Sequence, residues 1–188
     1  MDRLVFDIET KNSFDDVGGR ENLKDLEVSV VAVYSYDEDK YFSFEEHELP
    51  SLGEMLKRAK LIIGFASKRF DIPVLAKYFN FNVASIPHYD ILEEVEGKLG
   101  RRIGLGILAE ANVGAGKTGH GMEAIDLYRR GKMEKLKEYC VNDVKITKAI
   151  FDLIREKGYL WIPDRNTSQM KKLELPYKEE ESPQGQLL

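Results

Sequence analysis

Apolar positions along the chain follow two periods, and the change from one to the other marks out the elements. Residues 3–8 (RLVFDI) form a short apolar run flanked by polar positions, the pattern of a central strand. Residues 10–27 carry Gly18, Gly19 and many acids and read as a surface loop or short helix. Residues 28–36 (VSVVAVYSY) are β-branched and aromatic, and Asp37, Glu38 and Asp39 turn the chain back into residues 40–44, which makes a hairpin. Between 50 and 60, Leu52, Met55, Leu56 and Ala59 fall at helical spacing, after which residues 61–65 (LIIGF) return to a buried strand. Residues 71–79 open a helix, with Asp71 at its cap and Pro73 in its first turn, where a missing N–H is harmless. Residues 88–92 (HYDIL) read as a fifth short strand, and 105–112 and 122–130 have helical character. The strongest helix is 133–157, where Leu136, Cys140, Val144, Thr147, Phe151 and Ile154 recur at steps of three and four and define one buried stripe.

The order β-β-β-α-β-α-β-α predicts an α/β fold: a mixed five-stranded sheet, three antiparallel strands followed by parallel ones, flanked by helices on right-handed crossovers. At 188 residues the chain suits one domain. We place it at 1–163, with 159–163 (YLWIP) tucked onto it and 164–188 as a polar, flexible tail.

Composition narrows the class. A hydrophobic share of 43% and a charged share of 32% belong to a globular protein with a real core. No apolar run approaches the roughly 20 residues that a bilayer-spanning helix needs, and the N-terminus lacks a signal-peptide pattern, so a cytoplasmic location without membrane partners is expected. The single cysteine, Cys140, allows neither an internal disulfide nor a paired-cysteine zinc site and reads as core. The net charge of −5 at first sight opposes a nucleic-acid partner, but carboxylates that ligate metals would inflate the count, and distribution outweighs the sum.

Three acidic features carry candidate chemistry. Asp7 and Glu9 stand two apart on a strand, so both project from one face, and their mutual repulsion is relieved most simply by a divalent cation with oxygen ligands. Asp71 follows Phe70 at a helix start, where a plain capping role competes with a functional one. Tyr139 and Asp143, four apart, bring a phenol and a carboxylate onto one helical face. Each feature taken alone is commonly structural.

Their order along the chain is more specific. VFDIET with Asp7 and Glu9, IIGFASKRFDIPVL with Asp71, and YCVNDVKIT with Tyr139 and Asp143 resemble the three motifs of the DEDD exonuclease superfamily, in the subgroup with tyrosine in the third motif. Proofreading domains of family B DNA polymerases belong to that subgroup. The resemblance spans about residues 3–157 and implies an RNase H-like fold and a 3′–5′ exonuclease releasing nucleoside 5′-monophosphates from single-stranded nucleic acid, DNA ahead of RNA, in repair or turnover. It also implies two divalent metal ions, Mg²⁺ or Mn²⁺. Asp7 would bridge both, Glu9 and Asp143 would complete the nucleophile-side ion, Asp71 would serve the second, and Tyr139 would orient the attacking water. One departure stands out: family members often carry asparagine where this chain has Ala66, with Ser67 the nearest polar neighbour.

The substrate contacts expected beside the acids are Thr10, Ser67, Lys68, Arg69, Phe70 and Lys117. Arg101, Arg102, Arg129 and Arg130 offer further positive charge for a strand. Phe65, Phe70 and Tyr89 could stack on bases, but buried core is the better reading for each. His47, His88 and His120 have no ligand-like spacing. Two rival readings compete: a non-catalytic nucleic-acid-binding module with this fold, and a nucleotide hydrolase using Gly116, Lys117 and Thr118 of ANVGAGKT. The second needs a strand before the loop, whereas the preceding ILAEAN reads as helix. The terminal QGQLL, from Gln184 to Leu188, resembles the short peptides that dock sliding clamps.

Overall fold

The computed structural model describes residues 2–114, 116, 121–165, 167 and 169–178. Its centre is β1 (Asp2–Thr10), whose alternate side chains enter two separate cores. β2 (Val28–Ser35) pairs antiparallel with β1, and β3 (Lys40–Glu45) antiparallel with β2. The chain then crosses over through α1 (Leu49–Lys57) to β4 (Ala59–Gly64), which runs parallel to β1. A short helix, α2 (Asp71–Leu75), leads on to β5 (His88–Asp90), parallel to β4. The sheet order is β3-β2-β1-β4-β5, the mixed five-stranded arrangement that the periodicity predicts.

Each face of the sheet has its own cover. Leu4, Phe6 and Ile8 of β1, with Val31 and Val33 of β2, pack against Leu49, Leu52 and Leu56 of α1 and Val74 and Leu75 of α2. The opposite face, with Val5, Val30 and Ala32, carries four further helices: α3 (Ile91–Leu99), α4 (Leu105–Val113), α5 (Gly121–Arg129) and α6 (Met133–Lys157). α6 lies across β1 and β2, and its predicted stripe is buried throughout. All eight residues of β2 are buried, as expected of a strand covered on both faces.

Among the boundaries that differ from expectation, two have a clear physical cause. The fifth strand stops at Asp90 rather than Leu92, because the Asp90 carboxylate accepts hydrogen bonds from the Leu92 and Glu93 N–H groups and so caps α3. Past Pro163, the segment expected as a flexible tail contains a strand: β7 (Met170–Glu174) pairs antiparallel with β6 (Tyr159–Pro163). Its lysines misled the polarity reading; this two-stranded ribbon is exposed on one side, so β7 needs few apolar residues beyond Leu173, opposite buried Leu160.

One glycine fixes the loop that leaves the sheet. A Cβ at Gly64, the last residue of β4, would overlap both Oγ and Cβ of Ser67, which is fully buried and hydrogen-bonded to His88 Nε2 at 2.8 Å. That backbone approach sets the path of residues 65–71, and hence where Asp71 arrives. Gly64→Ala is therefore expected to cost about 1–3 kcal/mol, the usual penalty of overpacking. Urea denaturation checks this, and a midpoint equal to that of the parent protein would show that the loop yields freely.

Candidate active site

β1 outruns its parallel neighbour. Pairing with β4 extends only to Val5 opposite Ile63, so the far half of β1, with Asp7 and Glu9, has no strand on that edge. Its backbone still needs partners there. The Ile8 N–H finds one in Asp71 Oδ1, at 3.2 Å. Asp71 is thus not the helix cap considered from sequence: Phe70 occupies the cap position without a side-chain bond, and the Asp71 carboxylate turns to the strand instead.

Asp7 and Glu9 share the face of β1 that α6 covers, and Asp143 of α6 meets them there. One ligand oxygen from each of the three lies within 4.8 Å of the others. Glu9 and Asp143 are buried, and Asp7 is half-buried. Tyr139, one turn before Asp143, is 7% exposed. Cys140, between them on the same helix, sits directly beneath the group, its thiol donating to the Asp7 carbonyl oxygen at 3.4 Å and standing 3.7 Å from Asp7 Oδ2. The stripe that marks Cys140 as core is correct, but it conceals this contact with an acid.

Like charges so close in a dry setting oppose ionisation. Burial, and then the charge of Asp7, hold the Asp71 carboxyl well above the usual carboxylate range. Burial likewise pushes the Cys140 thiol up, with Asp7, Glu9 and Asp143 each adding to the effect, so it remains a protonated donor. A bound cation would reverse this balance. The donors are all hard oxygens, carboxylates held together before any ion arrives, which fits Mg²⁺ or Mn²⁺ and suits zinc poorly.

A cleft of about 500 Å³ opens over Asp7, Glu9 and Asp71. Thr10, Phe65, Phe70 and Asp71 line it, together with Phe14 and Arg20 from the 11–27 loop and Met122 and Ile125 from α5. The Arg129–Asp16 ion pair, at 2.7 Å, ties that loop to α5 and so braces both walls. Phe14, Arg20 and Met122 escape a sequence reading because they lie outside any apolar period of the core. Only their exposure around a concavity distinguishes them.

Three expected substrate contacts lie elsewhere. Ser67 is turned into the interior towards His88; Lys68 pairs with Glu93 at 2.5 Å, and Arg69 with Glu96 at 2.6 Å. Both cations are directed onto α3 because the Asp90 carboxylate takes the Ala66 and Lys68 N–H groups and docks this loop on the α3 cap. Ala66 itself has φ +62°, a left-handed conformation in which asparagine is several-fold enriched among non-glycine residues, so the family's usual residue there would suit the backbone better than alanine. Tyr89 packs on Phe151 and Tyr177 in the core. Lys117, Thr118, His120 and the 184–188 segment lie outside the described residues. Gly116 follows α4, so the strand that a phosphate loop requires is replaced by a helix.

A family model described as RNase_H superfamily matches residues 4–155. No curated protein sequence matches the chain. Among solved structures, the family B DNA polymerase from the hyperthermophilic archaeon Pyrobaculum calidifontis is similar at a TM-score of 0.62 and 18% identity, over 82% of this chain and 24% of that one. RNase D from Trypanosoma brucei is similar at a TM-score of 0.56 and 16% identity, over 80% of this chain and 56% of that one. At such identities the likeness is one of fold, and the chain spans less than two thirds of either protein.

The raised Asp71 carboxyl carries a signed prediction. A folded-state pKa above the unfolded value gives stability that is complete below the ordinary carboxylate range, about pH 4, and is lost as pH rises towards the folded value. In chelator, Asp71→Asn should remove that slope and be more stable than the parent at pH 7 by about 0.5–2 kcal/mol, since the amide oxygen can still accept from Ile8. Urea midpoints between pH 4 and pH 8 measure it. A parent protein whose stability tracks that of the variant across this range would exclude the repulsion argued here.

Proposed function

The chain belongs to the RNase H superfamily, and on that premise we propose that it is a metal-dependent 3′–5′ exonuclease that hydrolyses single-stranded nucleic acid, DNA ahead of RNA, to nucleoside 5′-monophosphates. The observation that carries this reading is the meeting of Asp7, Glu9 and Asp143 within 4.8 Å, from a strand and a helix far apart in sequence, where Asp7 and Glu9 also line an open cleft with Asp71. A protein with no use for cations would have little reason to keep three carboxylates so placed. That one protein sharing the fold is an RNase D is consistent with nuclease chemistry.

Asp7, Glu9 and Asp143 are the residues to hold one cation, and Asp71 with Asp7 a second. The chemistry such a pair supplies when bound is acidification of an attacking water and stabilisation of the leaving 3′-oxygen during in-line displacement. The chain's own groups do the rest. The Tyr139 hydroxyl orients the nucleophile from the turn of α6 preceding Asp143. Thr10 and the edge-to-face pair of Phe14 and Phe70 form the wall that receives the sugar and base of the terminal nucleotide. The Cys140 thiol, bonded to the Asp7 carbonyl oxygen, keeps the carboxylate-bearing end of β1 in place.

Incubating a 5′-labelled single strand with Mg²⁺ or Mn²⁺ should yield a ladder shortening one nucleotide at a time from the 3′ end, and chelator should abolish it. Asp7→Ala and Asp143→Asn should each lower the rate by about 10³-fold or more, and Tyr139→Phe by about 10–100-fold, in kcat more than in KM. Undiminished cleavage by Asp7→Ala would refute the assignment. Metal-independent binding of the strand without any cleavage would favour the non-catalytic module instead.

A further inference from the structure

A second concavity adjoins the acidic cleft and has the opposite charge. It encloses about 440 Å³ between the start of α4 and the β6–β7 turn, and shares Phe65 and Ala66 with the acidic cleft as a common wall. Arg101, Arg102 and Arg165 line it. Its single acid, Asp164, is paired with Lys171 at 2.5 Å. Lys171 and two of these arginines also line a smaller adjoining hollow, of about 260 Å³, on the far side of the turn.

These arginines differ from three other cations near the site, and share with Arg20, which lies over the Phe14 ring in the acidic cleft, the lack of an ion pair among the described residues. Lys68, Arg69 and Arg129 are each neutralised by a carboxylate, as an excess of acids in a chain of net charge −5 would lead one to expect. Among the described residues, Arg102 and Arg165 enter no ion pair, and Arg101 donates only a long hydrogen bond, 3.4 Å, to the Pro163 carbonyl. With Asp164 taken up by Lys171, the three guanidinium groups leave the hollow with an excess of positive charge that an anion would balance. Between them the floor is apolar, with Phe65, Ile103 and Ile107, the last 53% exposed despite its size. Unpaired arginines above an apolar floor match a chain with phosphates along one side and bases and sugars along the other.

Resting on the exonuclease reading above, we infer that this groove is the binding track for the substrate strand upstream of the reacting end: Arg101, Arg102 and Arg165 take the phosphates 5′ of the scissile linkage while the 3′ nucleotide occupies the acidic cleft. The β6–β7 ribbon is then part of the substrate site, since its turn supplies Arg165 and orients Arg101 through Pro163.

The test separates strand length from chemistry. The variant R101A/R102A/R165A and its charge-preserving counterpart R101K/R102K/R165K are compared with the parent on a single-stranded DNA 12-mer and on a thymidine dinucleotide, too short to reach the groove. The alanine variant should cleave the 12-mer at least about tenfold less efficiently, through KM, and the dinucleotide within about threefold of the parent. Its affinity for the fluorescent 12-mer, measured by anisotropy in chelator, should lose about two units of the slope of log K against log salt, as three lost phosphate contacts at about 0.7 each require. The lysine variant should stay within about threefold of the parent throughout. An alanine variant that matches the parent in 12-mer cleavage and salt slope would overturn the proposal, as would a lysine variant impaired as severely as the alanine one. If the parent cleaves neither substrate, the exonuclease reading fails by itself, and the anisotropy still decides whether the groove binds a strand.

Discussion

Everything at the site depends on where β4 ends. Because it stops at Gly64 while β1 continues to Thr10, the second half of β1 has a bare edge, and the helix after β4 starts where it can fill it. Asp71 supplies the missing acceptor for the Ile8 N–H. The same carboxylate that completes the hydrogen bonding of the strand is thereby held beside the acids on it. Gly64 makes this possible by letting Ser67 fold back against the strand end, and Asp90 reinforces it by binding the Ala66 and Lys68 amides while capping α3.

The second contribution comes from α6, whose stripe is so firmly apolar that its position against β1 and β2 is hardly negotiable. Packing of Val144, Ile150, Phe151 and Ile154 brings a carboxylate oxygen of Asp143 within 4.8 Å of those of Asp7 and Glu9 whether or not their charges welcome it. Hydrophobic burial along 25 residues overrides electrostatic repulsion at one turn. Folding stability supplied by the core is in this way converted into a region of concentrated negative potential, the property that attracts divalent cations. The Cys140 thiol belongs to both sides of this arrangement, buried as a core residue and bonded to Asp7 as a polar one.

Charge follows a similar logic on the surface. In a chain of net negative charge, Lys68, Arg69 and Arg129 are each paired with a carboxylate, whereas Arg20 in the acidic cleft and the three arginines beside the second concavity are not. Nearness in sequence to a motif points to Lys68 and Arg69, whereas the fold decides which cations are left without a carboxylate. That depends on α3 presenting Glu93 and Glu96 to one loop and on the β6–β7 turn carrying Arg165 to the other side, neither of which has a local signature.

Period and order in the sequence were enough to determine the sheet, the long helix and the five residues Asp7, Glu9, Asp71, Tyr139 and Asp143 as candidates. Strand alternation and helical stripes are imposed by burial and are therefore written residue by residue. Short polar segments were less legible, as the strand at Met170–Glu174 and the helix at Ile91–Leu99 illustrate, because a ribbon edge or a capped helix draws its stability from partners distant in the chain. Only the tertiary structure decided which way Ser67, Lys68 and Arg69 face, that Asp71 serves β1 rather than its own helix, and that Phe14, Arg20 and Arg165 line concavities. Those outcomes depend on distances between segments, and such distances are set when the elements pack, not by the residues on either side in the sequence.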